Sequence, residues 1–355
     1  MIIISNQIIR GLGIKPSTCV AWVKNSFALK SVSLLPVKVA VKPSLEEFFT
    51  SMPCLLPPPD IEQETGLKRH YYGLKVVHRL EKSTPSLGGD ILLYDAKTGE
   101  LLALMDAEWI TAMRTGAVAA AAARVLRKST AKNYAFLGLG NTARATLLCL
   151  LEEEPEINFY VNLKRYKGQE ELFTERFKDY KNVSFDYVEN ISDLVSRTDV
   201  LFSCVTYADC NIVEDVKYFK SGITVIPVHT RGFMNCDTVF DRVLGDDTAH
   251  VSGFRYFKEF HDYNEIGEVF AGRDPGRKSD KQRIINYNNG IGLHDVYFAS
   301  KIYEMIEDAG LSGIERQKET IKFWVYIYNI VILFAMQYTG NNEKYYYKKI
   351  EKKTA

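Results

Sequence analysis

Residues 134–151 read YAFLGLGNTARATLLCLL. Tyr134–Leu137 form a short apolar strand, Gly138-Leu139-Gly140-Asn141-Thr142-Ala143 fits the pattern GxGxxG/A, and a helical stretch follows. In that pattern the first glycine permits a tight turn and the second lets the backbone approach a pyrophosphate. The small last residue keeps the helix close to the strand, and the helix N-terminus supplies N–H groups and the positive end of its dipole. On its own the motif is unspecific, because a purely structural glycine turn has the same letters. Its context is informative. Short apolar runs recur downstream, separated by helical stretches: INFYVNL (157–163), VSFDYV (183–188), DVLFSCVT (199–206), ITVIPV (223–228) and RVLGDD (242–247). Such alternation predicts a doubly wound, parallel α/β sheet of the Rossmann type with a dinucleotide site at its glycine loop.

The end of the second strand bears on the form of the dinucleotide. An acidic residue there would bind the adenosine ribose 2′-hydroxyl. The chain instead reads FYVNLKRYKG (159–168), with Asn162, Lys164 and Arg165. A basic pair attracts a 2′-phosphate, which favours NADP(H) over NAD(H); a solvated loop is the plainer alternative.

The totals are permissive. The chain has 355 residues, enough for two domains with full cores. Its 45 basic and 44 acidic side chains nearly cancel, so charge makes no case for nucleic acid. The six cysteines lie mostly in apolar runs with no CxxC and no metal-ligand spacing, which reads as reduced thiols in a cytoplasmic protein without a metal. The start, MIIISNQIIRGLGI, lacks the features of a signal peptide and reads as a strand.

Up to about residue 110 the pattern is mixed α/β. Pro16 and Ser17 open a helix with Val20, Val23 and Phe27 on one face. SLLPVKVAV (33–41) and HYYGLKVVHRL (70–80) read as strands, and GGDILLYDAKTGELLALMD (88–106) as a hairpin turning at Lys97-Thr98-Gly99. A long alanine-rich helix follows, suited to close packing between two domains. Near the end, FWVYIYNIVILFAMQY (323–338) is apolar yet shorter than the ~20 residues of a membrane span. It reads as a buried or inter-subunit segment, and the lysine-rich tail as solvated, although that tail could also lie on an anionic surface.

TGELLALMDAEWITAMRTGAVAAAAA (98–123) and EIGEVFAGRDPGRKSDKQRIINYNNGIGLHD (265–295) resemble the two most recognisable stretches of the ornithine cyclodeaminase/mu-crystallin family. The first carries Asp106, Thr111 and the Arg114-Thr115 pair; the second carries Glu265–Glu268, Pro275-Gly276-Arg277, Gly290 and Asp295. With the glycine loop between them, the resemblance spans roughly residues 15 to 310. It implies a homodimer with a mixed α/β substrate-binding and dimerisation domain, residues 1–127 with 300–322, around a Rossmann domain, residues 128–299. Residues 323–355 form an extension with no assigned role. The resemblance also implies NAD(P)(H)-dependent chemistry at the Cα–N bond of a small amino or imino acid. Three cations then hold the substrate carboxylate: Arg114, Lys75 and, where arginine is usual, Lys38. Lys75 is also the candidate acid/base, since a desolvated lysine loses basicity. The expected cofactor contacts are Thr115, Gly138, Gly140, Asn141, Thr142, Ala143, Asn162, Lys164, Arg165, Val205, Thr206 and Gly290.

Ligands sit beyond the carboxyl ends of strands in open parallel sheets. The strand ending at Val228 therefore directs His229 and Arg231 at the cleft, as candidate catalytic residues. Cyclodeaminases of the family typically read GGD here, with an aspartate assisting at the substrate amine. Arg231 stands in its place, and Asp237 is the nearest acid. Like charges ~4 Å apart cost on the order of 4 kcal/mol at an effective dielectric of ~20. An inward Arg231 would thus repel ornithine and suit a second carboxylate, and His229 could donate a proton to an imine nitrogen. The leading expectation is an oxidoreductase of the amino-acid dehydrogenase, opine or ketimine reductase type. A redox-neutral cyclodeaminase, a non-catalytic NADPH-dependent ligand binder like the crystallin, and a membrane-associated protein are the alternatives.

Overall fold

The computed structural model describes residues 1–57, 65–206 and 208–310. The amino-terminal part contains β1 (Ile2–Ile4), α1 (Asn6–Gly11), α2 (Pro16–Ala28), β2 (Val39–Val41), β3 (Phe48–Leu55), β4 (Tyr71–Arg79), β5 (Leu87–Asp95), β6 (Leu101–Asp106) and α3 (Glu108–Leu126). Its strands form a mixed six-stranded sheet in the order β1-β6-β5-β4-β3-β2, antiparallel except where β1 runs beside β6. The hairpin between β5 and β6 turns where the sequence indicates. The Asp95 carboxylate accepts from the N–H groups of Lys97 and Thr98, and Gly99 supplies a φ of 74°. The expected strand over 33–41 is shorter, covering only Val39–Val41, with Leu34 bridging to Leu55. Pro36, between them, has no N–H to give a ladder.

The remainder alternates strand and helix: β7 (Asn133–Leu137), α4 (Asn141–Glu153), β8 (Phe159–Lys164), α5 (Gln169–Arg176), β9 (Val183–Val188), α6 (Ile191–Arg197), β10 (Val200–Ser203), β11 (Thr224–Pro227), β12 (Arg242–Gly245), α7 (Thr248–Val251), β13 (Asn264–Glu265), α8 (Ile266–Phe270), β14 (Ile284–Tyr287) and α9 (Gly292–Asp308). Its eight strands are all parallel, in the order β13-β12-β14-β11-β10-β7-β8-β9. Strand order reverses between β7 and β10, the place where such sheets open a ligand crevice. β13 and β14 were not anticipated: β14 lies within the second family-like stretch and β13 runs into its start, where Gly and charged residues interrupt the apolar pattern.

Two elements join the sheets. α3 packs on α2 and β5 on one side and on α4 and β11 on the other. Its small residues allow this: a Cβ on Gly116 would lie 2.6 Å from the Ala145 backbone. α9 returns to the first sheet from Gly292, ahead of residue 300. A Cβ on Gly292 would meet the Met52 carbonyl at 2.9 Å, and one on Gly73 would meet Val296 at 2.6 Å, so this helix lies directly on β3 and β4. No helix among the described residues is long and apolar enough to cross a membrane. Residues 311–322 of the expected first domain and the whole 323–355 extension lie outside the described residues.

Candidate active site

Leu137, Ser203 and Pro227 stand in register across β7, β10 and β11. Gly138, Cys204 and Val228 therefore begin neighbouring loops at one carboxyl edge. Gly138 has a φ of 78°, and a Cβ there would fall 2.5 Å from the Cys204 carbonyl oxygen, so only glycine fits. Gly140 faces open space, with nothing within 4 Å of a Cβ position. It precedes α4 without a side-chain cap, so the positive end of the helix dipole opens on the glycine loop, where an anion is favoured. Ala143 is buried against the strand. This is a cradle that fits a dinucleotide pyrophosphate. Half-buried Val205 and exposed Thr206 continue the loop from β10.

The ribose end differs from the expectation drawn from its letters. Asn162 is buried, with its amide donating to the Tyr134 carbonyl inside the sheet. Arg165 is paired with Glu171 at 3.3 Å and Glu189 at 3.2 Å and lies over the Tyr187 ring. Lys164 Nζ donates to the Arg165 carbonyl at 3.5 Å.

At the other end of the cleft three elements converge. Lys75 on β4 donates from Nζ to Asp295 Oδ1 on α9 at 2.8 Å, and Arg114 on α3 donates from Nε to the same oxygen at 2.9 Å. Lys75 and Asp295 are wholly buried, and Arg114 almost so. Burial pushes the Lys75 ammonium down to about 7; the Asp295 charge opposes this, but Arg114 shares that charge. Asp295 itself is held below the usual carboxylate range: burial would raise it, and Arg114 and Lys75 together outweigh burial. Its Oδ2 has no hydrogen-bond partner among the described residues.

Lys38 enters from the segment before β2. Its Nζ donates to the carbonyls of Asn289 at 2.6 Å and Gly290 at 3.3 Å, and burial lowers its pKa. Gly290, with a φ of 77°, is pressed against Arg114: a Cβ would lie 2.6 Å from Nη1. Its N–H donates to Asp246 Oδ2, beyond the end of β12, at 2.6 Å. The loop after β14 thus brings the cations to the carboxyl edge of the parallel sheet. With Lys75 protonated, three cations face Asp295 and Asp246, leaving one positive charge for a bound carboxylate. Thr115, beside Arg114, spends its hydroxyl on the Thr111 carbonyl at 2.6 Å.

His229 is half-buried, with Nε2 2.7 Å from Ser203 Oγ, and burial lowers its pKa to about 4. Arg231 is exposed. Asp237 is buried, accepting from the Tyr287 hydroxyl at 2.5 Å.

A family model described as the ornithine cyclodeaminase/mu-crystallin family matches residues 18–310. The chain belongs to this family. It is 26% identical over 294 residues to the nodulation efficiency protein NfeD of Rhizobium meliloti, covering 79% of this chain and 86% of that one. Delta(1)-pyrroline-2-carboxylate reductase of Thermococcus litoralis, in complex with NADH and L-proline, has the same fold. Its TM-score is 0.76 at 20% identity, over 89% of this chain and 100% of its own. An archaeal alanine dehydrogenase, a dimer with bound NAD, gives 0.72 at 20% identity over 88% and 98%. Other relatives include the delta(1)-pyrroline-2-carboxylate reductase of Bacillus cereus, 23% identical over 67% of this chain, and the alanine dehydrogenase of Archaeoglobus fulgidus, 27% identical over 66%.

Family motifs that look catalytic divide into two groups. Arg277 stitches the end of α3 to the parallel sheet through the carbonyls of Leu126 and Gly222 and the Thr224 hydroxyl. Arg242 likewise bonds Asp274. Asp295, by contrast, is at the centre of the site, a role sequence reasoning did not assign. Its signal was present: a carboxylate within the apolar run of a buried helix needs a cationic partner. Asp246, Asn289 and Arg79 had no comparable signal.

Proposed function

We propose that this protein is a nicotinamide-dinucleotide-dependent oxidoreductase acting at the Cα–N bond of an α-imino or α-amino acid. The observation that carries the reading is the contact between Arg114 and Gly290. It sets a buried Lys75–Arg114–Asp295 cluster against the sheet edge that also carries the glycine loop. Lys38 and the free fork of Arg114 would hold the substrate carboxylate. The glycine loop, with Val205 and Thr206, would hold the dinucleotide, which when bound exchanges a hydride with the substrate Cα.

Lys75 is the proton carrier in this reading. As the C=N bond becomes a single bond, its electron pair moves to nitrogen, which takes a proton from the Lys75 ammonium. Asp295 Oδ2 is free to accept the N–H of the same group. His229, neutral at ordinary pH, would line the nicotinamide side rather than supply the proton. The carboxylates around Arg165 remove the ground for an NADP(H) preference, and we read NAD(H) as the cofactor. The protein would form a homodimer through the β2 edge, where Val39, Val41 and Phe49 are exposed.

The test is Lys75→Ala, assayed by consumption of reduced nicotinamide with keto acids and amines, together with fluorescence titration of cofactor. Loss of turnover with cofactor binding retained supports the role, and unchanged turnover sinks it. Ammonia release without net change in reduced nicotinamide would instead establish a cyclodeaminase. Cofactor binding with no turnover of any acid would establish a ligand binder.

A further inference from the structure

Arg79 is the last residue of β4, on the same face as Lys75 and four positions along the strand, about 13 Å between Cα atoms at ~3.3 Å per residue. Its Nη1 donates to the Thr206 carbonyl at 2.5 Å, which brings the guanidinium across the cleft to the loop expected to carry the nicotinamide. The Phe48 ring, 5.3 Å away, supports its plane. Nε is buried and bonds nothing in the described structure. Arg79 forms no ion pair among the described residues; the charge of exposed Glu46 reaches it only at longer range. His229 lies close enough to feel the Arg79 charge and offers no acid to answer it. A half-buried guanidinium with an unspent donor and no directly paired acid among the described residues is costly unless an anion completes it.

We propose that Arg79 takes the distal carboxylate of the substrate, so that this site handles an imino or amino acid carrying a second acid group. The assignment rests on the oxidoreductase reading above for the placement of the first carboxylate at Arg114 and Lys38. It moves the second-acid role from exposed Arg231 to a residue already fixed in the cleft. A structural alternative exists in which the bond to Thr206 merely latches the two sheets together. The two make different predictions: a latch serves every ligand alike, whereas a carboxylate partner serves only diacids.

The deciding experiment is calorimetric titration of the full-length protein, loaded with NAD+, with 2-oxoglutarate and with 2-oxopentanoate. The second has the same chain length and lacks the distal acid. The four-carbon pair, oxaloacetate and 2-oxobutanoate, is titrated in parallel. The native protein should bind the diacid of at least one pair more tightly, and Arg79→Gln should reduce that preference by about 10- to 100-fold, with Arg79→Lys in between. Equal affinity for diacid and monoacid in the native protein, no binding of either, or a proportional loss of both in Arg79→Gln would overturn the proposal. Because binding is read without turnover, the two readings fail separately. Arg79-dependent diacid binding without imine reduction retires only the oxidoreductase reading. Reduction of monocarboxylic imines alone retires only the Arg79 assignment.

Discussion

Lys75 and Asp295, 220 positions apart in the chain, meet at 2.8 Å with no side-chain surface exposed on either. Arg114 shares the same carboxylate oxygen. A buried carboxylate serving two cations makes the cluster a unit, and altering one member changes the ionisation of the rest.

Asp295→Asn leaves two buried cations without their counter-charge. Breaking such a pair typically costs about 3–5 kcal/mol. The expected outcome is destabilisation of that order in denaturant unfolding. Any residual activity should fall off at a lower pH than in the native protein, because Lys75 would lose its proton more readily.

The pH dependence has opposite signs for activity and stability. Lys75 titrates at about 7 when folded, against an ordinary lysine value of 10.5. Its acid form prevails below about 7, so kcat/KM for reduction should fall as pH rises through that value, and the reverse oxidation should rise. Between about 7 and 10.5 the unfolded chain binds the additional proton, so the contribution of Lys75 to stability increases with pH across that window. Lys75→Met should remove this rise, measured by unfolding at a series of pH values.

Two glycines of one loop should respond differently to alanine. At Gly138 the new methyl meets a backbone carbonyl at 2.5 Å in a left-handed conformation, so Gly138→Ala should lower Tm and abolish cofactor binding. At Gly140 the methyl meets nothing within 4 Å. Gly140→Ala should keep the native Tm within about 2 °C, as expected of a change costing under ~0.5 kcal/mol. Its cofactor Kd should still rise tenfold or more, because the methyl occupies the path of the pyrophosphate.

Val39 and Val41, each 66% exposed on edge strand β2, should lie in the dimer interface. Lysine at both positions should shift the protein toward monomer in light scattering, because charges on an edge strand oppose pairing.

Much of this was legible locally. The hairpin at Lys97–Gly99, the strands β7 to β12 and the glycine loop follow from short-range rules of periodicity, turn chemistry and backbone conformation. The family motifs named Lys75, Arg114 and Gly290. Other features were less legible, because a side chain's letter does not reveal its partners. Lys164 and Arg165 read as a phosphate site, yet Glu171 and Glu189 converge on Arg165 from beyond β8. Asn162 read as a ribose contact, yet it bonds within the sheet. Arg231 read as facing the cleft, and the structure shows it exposed on the loop after β11.

The sequence by itself therefore determined the parallel sheet, the glycine loop and the family, since these depend on repeated local patterns spread over many residues. Only the tertiary structure decided which charges face one another. Asp295 became the shared counter-ion of Lys75 and Arg114 because α9 folds back onto β4. Arg79 bonds the Thr206 carbonyl and forms no ion pair among the described residues, because exposed Glu46 acts on it only at longer range. Electrostatic roles depend on distance and on exclusion of water, and both are set by contacts between residues far apart in the chain.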